Sequence, residues 1–143
     1  MRLWHYRLLP YLPDLQFKGQ LRELVAIMRD WRDKGSTNHL LINRVMEYSK
    51  NHLVQYFYMY EVEYQKRYGK RLTEYSEEFT KLIQPSDGKA FLSGWHNNEY
   101  LRVCMANLYE KHAFGIGNSR ITGEEWNRLT DGYKTITGEE YRI

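Results

Sequence analysis

The alternation of polar and apolar positions draws its clearest helix in the first third of the chain. Phe17, Leu21, Leu24, Met28 and Trp31 recur at steps of four and three, between a Pro13-Asp14 start and Gly35 past the far end. This predicts a helix from Asp14, as N-cap, to about Asp33. After the Gly35-Ser36-Thr37-Asn38 loop, His39 to Tyr48 carries Leu40, Leu41, Val45 and Met46 and reads as a short second helix. Thr37 or Asn38 is placed to cap it. Ser49 is placed to cap a longer third helix, Lys50 to Tyr68, stopped by Gly69, with Leu53, Tyr56, Phe57, Tyr60 and Tyr64 on its apolar face. The run from Tyr56 to Tyr60 also suits a buried strand, but length and the lack of partner strands favour helix. Thr73 to Ile83 is the fourth helix, with Tyr75, Phe79, Leu82 and Ile83 inward, and Gln84 to Gly88 is a turn. A fifth runs from about Asn97 to His112, with Tyr100, Leu101, Cys104, Met105 and Leu108 inward. Thr122-Gly123-Glu124-Glu125 is a capping box opening one more short turn around Trp126. The rest of 121–143 reads as an irregular C-terminal tail.

The chain opens with MRLWHYRLLPYL, aromatic and basic, and Pro10 and Pro13 discourage a long helix there. Leu3, Trp4, Leu8 and Leu9 are too apolar to leave in water, so this arm is expected to pack across the helices. An amino terminus on a packed arm has a fixed position. Arg2 is bulky, and initiator methionine is normally removed only before a small residue, so the expected terminal amine is that of Met1. The whole reads as one all-α domain over residues 1–143.

Composition adds partners and exclusions. Hydrophobic content of 42% and charged content of 27% fit a globular domain, while aromatics reach 15%. Tyrosines pack cores and also stack on bases. The net charge of +3 is compatible with a nucleic-acid partner. A lone Cys104 excludes an internal disulfide, and no run approaches the ~18 apolar residues of a membrane span. A cytoplasmic monomer is the expectation. No metal site is expected, since the histidines and the cysteine lack ligand spacing. His39, His52, His96 and His112 read as surface or hydrogen-bonded side chains. No phosphate-cradling glycine loop is present, so no nucleotide cofactor is expected.

The chemistry-bearing residues collect near the start. At about 100° per residue, Glu23 lies roughly 130° from the middle of the first helix's apolar stripe. Gly19 and Ala26 lie one turn either side, and Lys18, Arg22 and Arg29 share the polar face with it. A basic stripe flanking one carboxylate suits a polyanion held while acid–base chemistry is done on it. The same pattern equally describes a solvated helix face balanced by Glu23 and Asp30.

The opening Met1-Arg2-Leu3-Trp4 and the segment Gly19-Gln20-Leu21-Arg22-Glu23-Leu24 resemble the pyrimidine-dimer DNA glycosylase family, of endonuclease V type. Weaker echoes are Asn38-His39, Tyr48-Ser49-Lys50, Lys66 to Gly69 and Ala106 to Lys111. The resemblance implies a compact all-α fold and a DNA repair reaction needing no cofactor. The N-terminal α-amine, here that of Met1, attacks the sugar of a damaged nucleotide in double-stranded DNA, and the imine that results undergoes strand-breaking β-elimination. It further implies that Glu23 is the catalytic carboxylate and that Arg2, Arg22, Asn38, His39 and Lys111 hold the DNA. Besides Met1 standing where the family nucleophile is a small residue, two positions depart from the family pattern. Ala26 and Asn107 stand where basic residues contact phosphates, and their loss is expected to weaken DNA binding. A non-catalytic nucleic-acid-binding module, or an interaction domain whose Glu23 is merely exposed, are the alternatives from the same residues.

Overall fold

The computed structural model describes residues 2–33 and 40–143, with backbone alone at 40–42. It is helical, with no strand among the described residues. The helices are α1 (Asp14–Asp33), α2 (Leu40–Val45), α3 (Lys50–Tyr68), α4 (Thr73–Thr80), α5 (Asn98–Ala113) and α6 (Gly123–Thr137), preceded by a 3-10 helix over Tyr6–Tyr11. The chain divides into two compact units. One comprises Met1–Leu3 and Gln20–Ser93, the other Trp4–Gly19 and Gly94–Ile143.

In the first unit α3 has the predicted bounds. Gly69 ends it in the left-handed conformation, φ +66°, and its N–H donates to the Gln65 carbonyl at 2.8 Å. Leu53, Tyr56, Phe57 and Tyr60 are buried as the periodicity requires, and α4 packs on α3 through Phe79, stacked on Phe57 at 4.2 Å between centroids. Ser49 stands at the N-cap position, but its side chain makes no capping bond. The Ser49 N–H donates to Asp87 at 2.8 Å. Asp87 also accepts from the Lys89 N–H at 2.9 Å, and its carboxylate pairs with His52 Nε2 at 3.1 Å. These backbone N–H groups, with His52 adding to them, hold the Asp87 carboxyl well below its ordinary range. His52 Nδ1 accepts from the Leu92 N–H at 3.0 Å, which leaves Nε2 as the protonated nitrogen facing Asp87. The turn after α4 is thereby fastened to the start of α3. Helix α4 is shorter than predicted, ending at Thr80, and Ile83, expected inward, is exposed.

In the second unit Asn97 caps α5, its side-chain oxygen accepting from the Tyr100 N–H at 2.9 Å. Leu101, Cys104, Met105 and Leu108 are buried on one face. The Thr122 capping box forms in both directions, with Glu125 reaching back to the Thr122 N–H at 2.9 Å. From Gly123 the chain forms neither a short turn nor an irregular tail but a helix of fifteen residues. Its Trp126 and Tyr133 meet Tyr141 edge to face, which folds the last residues back onto it. The 3-10 helix packs against α6, and Arg128 donates to the Pro10 carbonyl at 2.7 Å.

The arm is buried as its composition demands: Leu3, Trp4, Leu8, Leu9 and Leu12 are each at most 5% exposed. His5 is buried with them, its ring 5.1 Å from that of His96 and 6.3 Å from that of Tyr100. Burial, with the Arg7 charge adding to it, pushes the His5 imidazole down from 6.5 to about 4, against hydrogen bonds to the backbone of His96 and Asn97. Between those two pH values the unfolded chain binds a proton at this residue that the folded chain refuses. Stability at His5 is therefore complete above pH 6.5 and is lost as the pH falls towards 4. Chemical denaturation across this range is expected to show a loss of up to about 3 kcal/mol, absent in a folded His5→Gln variant.

Candidate active site

Helix α1 is broader on its buried side than the predicted stripe. Phe17, Leu24 and Met28 are buried, and so are Val25, Ile27 and Gln20, whereas Leu21 and Trp31 are half-buried. Asp14 is its first residue rather than the residue before it. Lys18, Arg22 and Arg29 are exposed along the helix. Glu23, placed on the open face by periodicity, is half-buried.

The reason is the chain's own beginning. The Arg2 backbone N–H donates to Glu23 Oε2 at 2.6 Å, between residues 21 apart in sequence. The Arg2 carbonyl accepts from Gln20 Nε2 at 2.7 Å, and the same nitrogen lies 3.4 Å from Glu23 Oε2. Positions 20 and 23 are neighbours on one side of a helix. They therefore hold the two sides of one peptide segment, Glu23 taking its donor and Gln20 its acceptor. Behind them the Tyr56 hydroxyl, from α3, donates to Gln20 Oε1 at 3.1 Å. Gln20 is 1% exposed and Tyr56 fully buried. Only one orientation of the Gln20 amide satisfies these contacts, with its oxygen towards Tyr56 and its nitrogen towards Arg2 and Glu23.

The predicted site residues thus fall into three groups. Arg2, Arg22 and Glu23 lie in the first unit, Arg2 and Glu23 joined directly and Arg22 exposed beside Glu23 in sequence. Lys111 is exposed on α5, in the second unit. Met1, Asn38 and His39 lie outside the described residues. Of the two departures from the family pattern, Ala26 is half-buried, and Asn107 spends its side-chain amide on the Val103 carbonyl at 3.0 Å, one turn back on its own helix. Gln20 and Tyr56 carry no signal of their own in the sequence, since a glutamine beside an apolar stripe and a tyrosine on an apolar face are both ordinary. Among the described residues no cluster of histidine, cysteine or carboxylate side chains is arranged to hold a metal ion, and no helix is long and apolar enough to cross a membrane.

Among the described residues, the Arg2 backbone thus lies against a half-buried carboxylate on a helix that also carries exposed arginines. The family model described as pyrimidine dimer DNA glycosylase matches residues 1–75 of the 143-residue chain. The chain belongs to the pyrimidine dimer DNA glycosylase family. The matched segment holds Arg2, Gln20, Arg22, Glu23 and Tyr56, and ends before Lys111. No curated protein and no solved structure gives a significant match.

Proposed function

We propose that this protein is a DNA repair glycosylase with abasic-site lyase activity, acting on a damaged nucleotide, such as one in a pyrimidine dimer, within duplex DNA. The carrying observation is the 2.6 Å hydrogen bond that ties the backbone of residue 2 to Glu23. A residue bonded to that nitrogen has its own nitrogen within about 4 Å of it by covalent geometry. The α-amine of Met1 is the nucleophile. Its ordinary pKa, about 7.7–8.0, leaves roughly a tenth or more of it neutral at neutral pH, far more than for a lysine.

The neutral amine adds to C1′ as the bond from C1′ to the base breaks, and the departing base takes the electron pair. Glu23 stabilises the positive charge that develops on the sugar. Opening of the ring and loss of a proton from nitrogen give the imine. Removal of a proton from C2′ then expels the 3′ phosphate, and water releases the enzyme. Arg2, Arg22 and Lys111 hold phosphates while the nucleotide is drawn out of the stack, and Asn38 and His39 complete the DNA contacts. No cofactor enters any step.

Borohydride reduces an imine to a stable amine, so incubation with duplex DNA carrying an abasic site is expected to yield a covalent protein–DNA adduct. Peptide mapping places the sugar on the N-terminal residue, and a short N-terminal extension reduces adduct formation at least about 100-fold, as expected when proximity is lost. An adduct formed equally by the extended protein removes the terminal amine from the mechanism. The exposed Lys18, Arg22 and Arg29 also favour a second reading, a non-catalytic binding module. Such a module binds duplex DNA with steep salt dependence and forms no adduct.

A further inference from the structure

We infer that Gln20 and Tyr56 are positioning residues for this reaction, forming a buried relay that fixes the Arg2 backbone against Glu23. The inference rests on the repair function proposed for the site. Three contacts carry it, running from the core outwards: Tyr56 hydroxyl to Gln20 Oε1 at 3.1 Å, Gln20 Nε2 to the Arg2 carbonyl at 2.7 Å, and the Arg2 N–H to Glu23 Oε2 at 2.6 Å. Tyr56 sits in the middle of α3, a helix of 19 residues, and its ring is wholly buried. It is thus a rigid anchor for the Gln20 amide. Gln20 passes that rigidity on to the terminal segment.

A free chain end samples many conformations, and ordering it at the moment of reaction costs entropy at every residue. Holding the backbone of residue 2 at both its N–H and its carbonyl orders the residue that adjoins the nucleophile before DNA arrives. Pre-organisation of this kind raises the rate of the chemical step and leaves substrate affinity alone. Gln20 also approaches Glu23 Oε2, at 3.4 Å, so the same amide orients the carboxylate that the reaction needs. Neither residue touches the DNA in this role.

The test uses full-length protein carrying Tyr56→Phe, which keeps the buried ring and removes only the hydroxyl, and Gln20→Glu, which keeps the size and turns the donor edge into an acceptor. Single-turnover imine trapping on abasic duplex is expected to slow about 10-fold for Tyr56→Phe and up to about 100-fold for Gln20→Glu, with the concentration giving half-maximal rate changed less than about 2-fold. Hydrogen exchange at the Arg2 amide, followed by NMR, is expected to quicken in the same order. A merely structural role would lower thermal stability without this split between rate and affinity. If Gln20→Glu does not fold, Tyr56→Phe decides alone. Wild-type trapping rates and wild-type Arg2 exchange in both variants overturn the inference. A wild-type protein that never crosslinks overturns the repair reading instead, and Arg2 exchange in the variants then decides whether the relay holds the chain end.

Discussion

Replacing Glu23 by glutamine is expected to lower single-turnover cleavage and imine trapping by about 10³-fold while changing duplex affinity less than about 2-fold. The substitution is nearly isosteric. A glutamine oxygen in place of Oε2 can still accept from the Arg2 N–H and Gln20 Nε2. The Arg2 backbone therefore keeps its bond at residue 23, and the negative charge is lost. That charge has two uses in the proposed reaction, against the cationic sugar as the base departs and in the proton transfers that open the ring. General acid–base catalysis is commonly worth about 10²–10⁴-fold and a well-placed electrostatic partner a similar amount, with the two overlapping in one residue. Glu23→Ala separates anchoring from chemistry: it is expected to lose the rate and also quicken exchange at the Arg2 amide. Retention of the wild-type rate by Glu23→Gln, with the adduct still formed, would leave Glu23 as an anchor only.

The helices were legible because their ends are written in local chemistry. Gly69 has the left-handed φ that a C-terminal glycine supplies, Asn97 caps α5, and Thr122 and Glu125 form both halves of a capping box. Ser49 shows where that reading stops. It occupies the expected position, yet its hydroxyl makes no cap, and the Lys50 N–H donates instead to Gln84, 34 positions away, which no local rule connects to it. Glu23 shows the same limit at the site. Periodicity puts it on the open face of α1, and the helix indeed leaves it there. It is half-buried because the Arg2 segment lies across it, a contact between distant parts of the chain. The family motif around Arg22 and Glu23 lies on α1, the helix whose Glu23 accepts from the Arg2 backbone. Gln20 lies inside that motif and Tyr56 outside it, and their connection is visible only in three dimensions. His5 was hidden for a related reason, since its depressed pKa comes from burial beside His96, which lies far along the chain.

Among single substitutions, the largest stability effect is expected at Gly132, inside α6. Asp131-Gly132 is a pair common in turns. In the folded chain Gly132 lies inside α6 and is buried. A Cβ there would stand 2.4 Å from Cγ of Tyr11, at the root of its ring, where the side chain has little freedom to swing away. The glycine is thus a matter of packing: it lets the 3-10 helix lie against α6. Gly132→Ala improves helix propensity by up to about 1 kcal/mol, but forcing the two elements apart costs typically about 1–3 kcal/mol, and Gly132→Val costs more. Denaturant unfolding is expected to show a net loss of about 1–2 kcal/mol for the alanine variant. The sign should reverse in a Tyr11→Ala background, where the clash is gone and the propensity gain remains, giving a coupling of about 2 kcal/mol in the double-mutant cycle. If Gly132→Ala is equally destabilising with and without the tyrosine ring, the close approach of the two elements is not what requires the glycine.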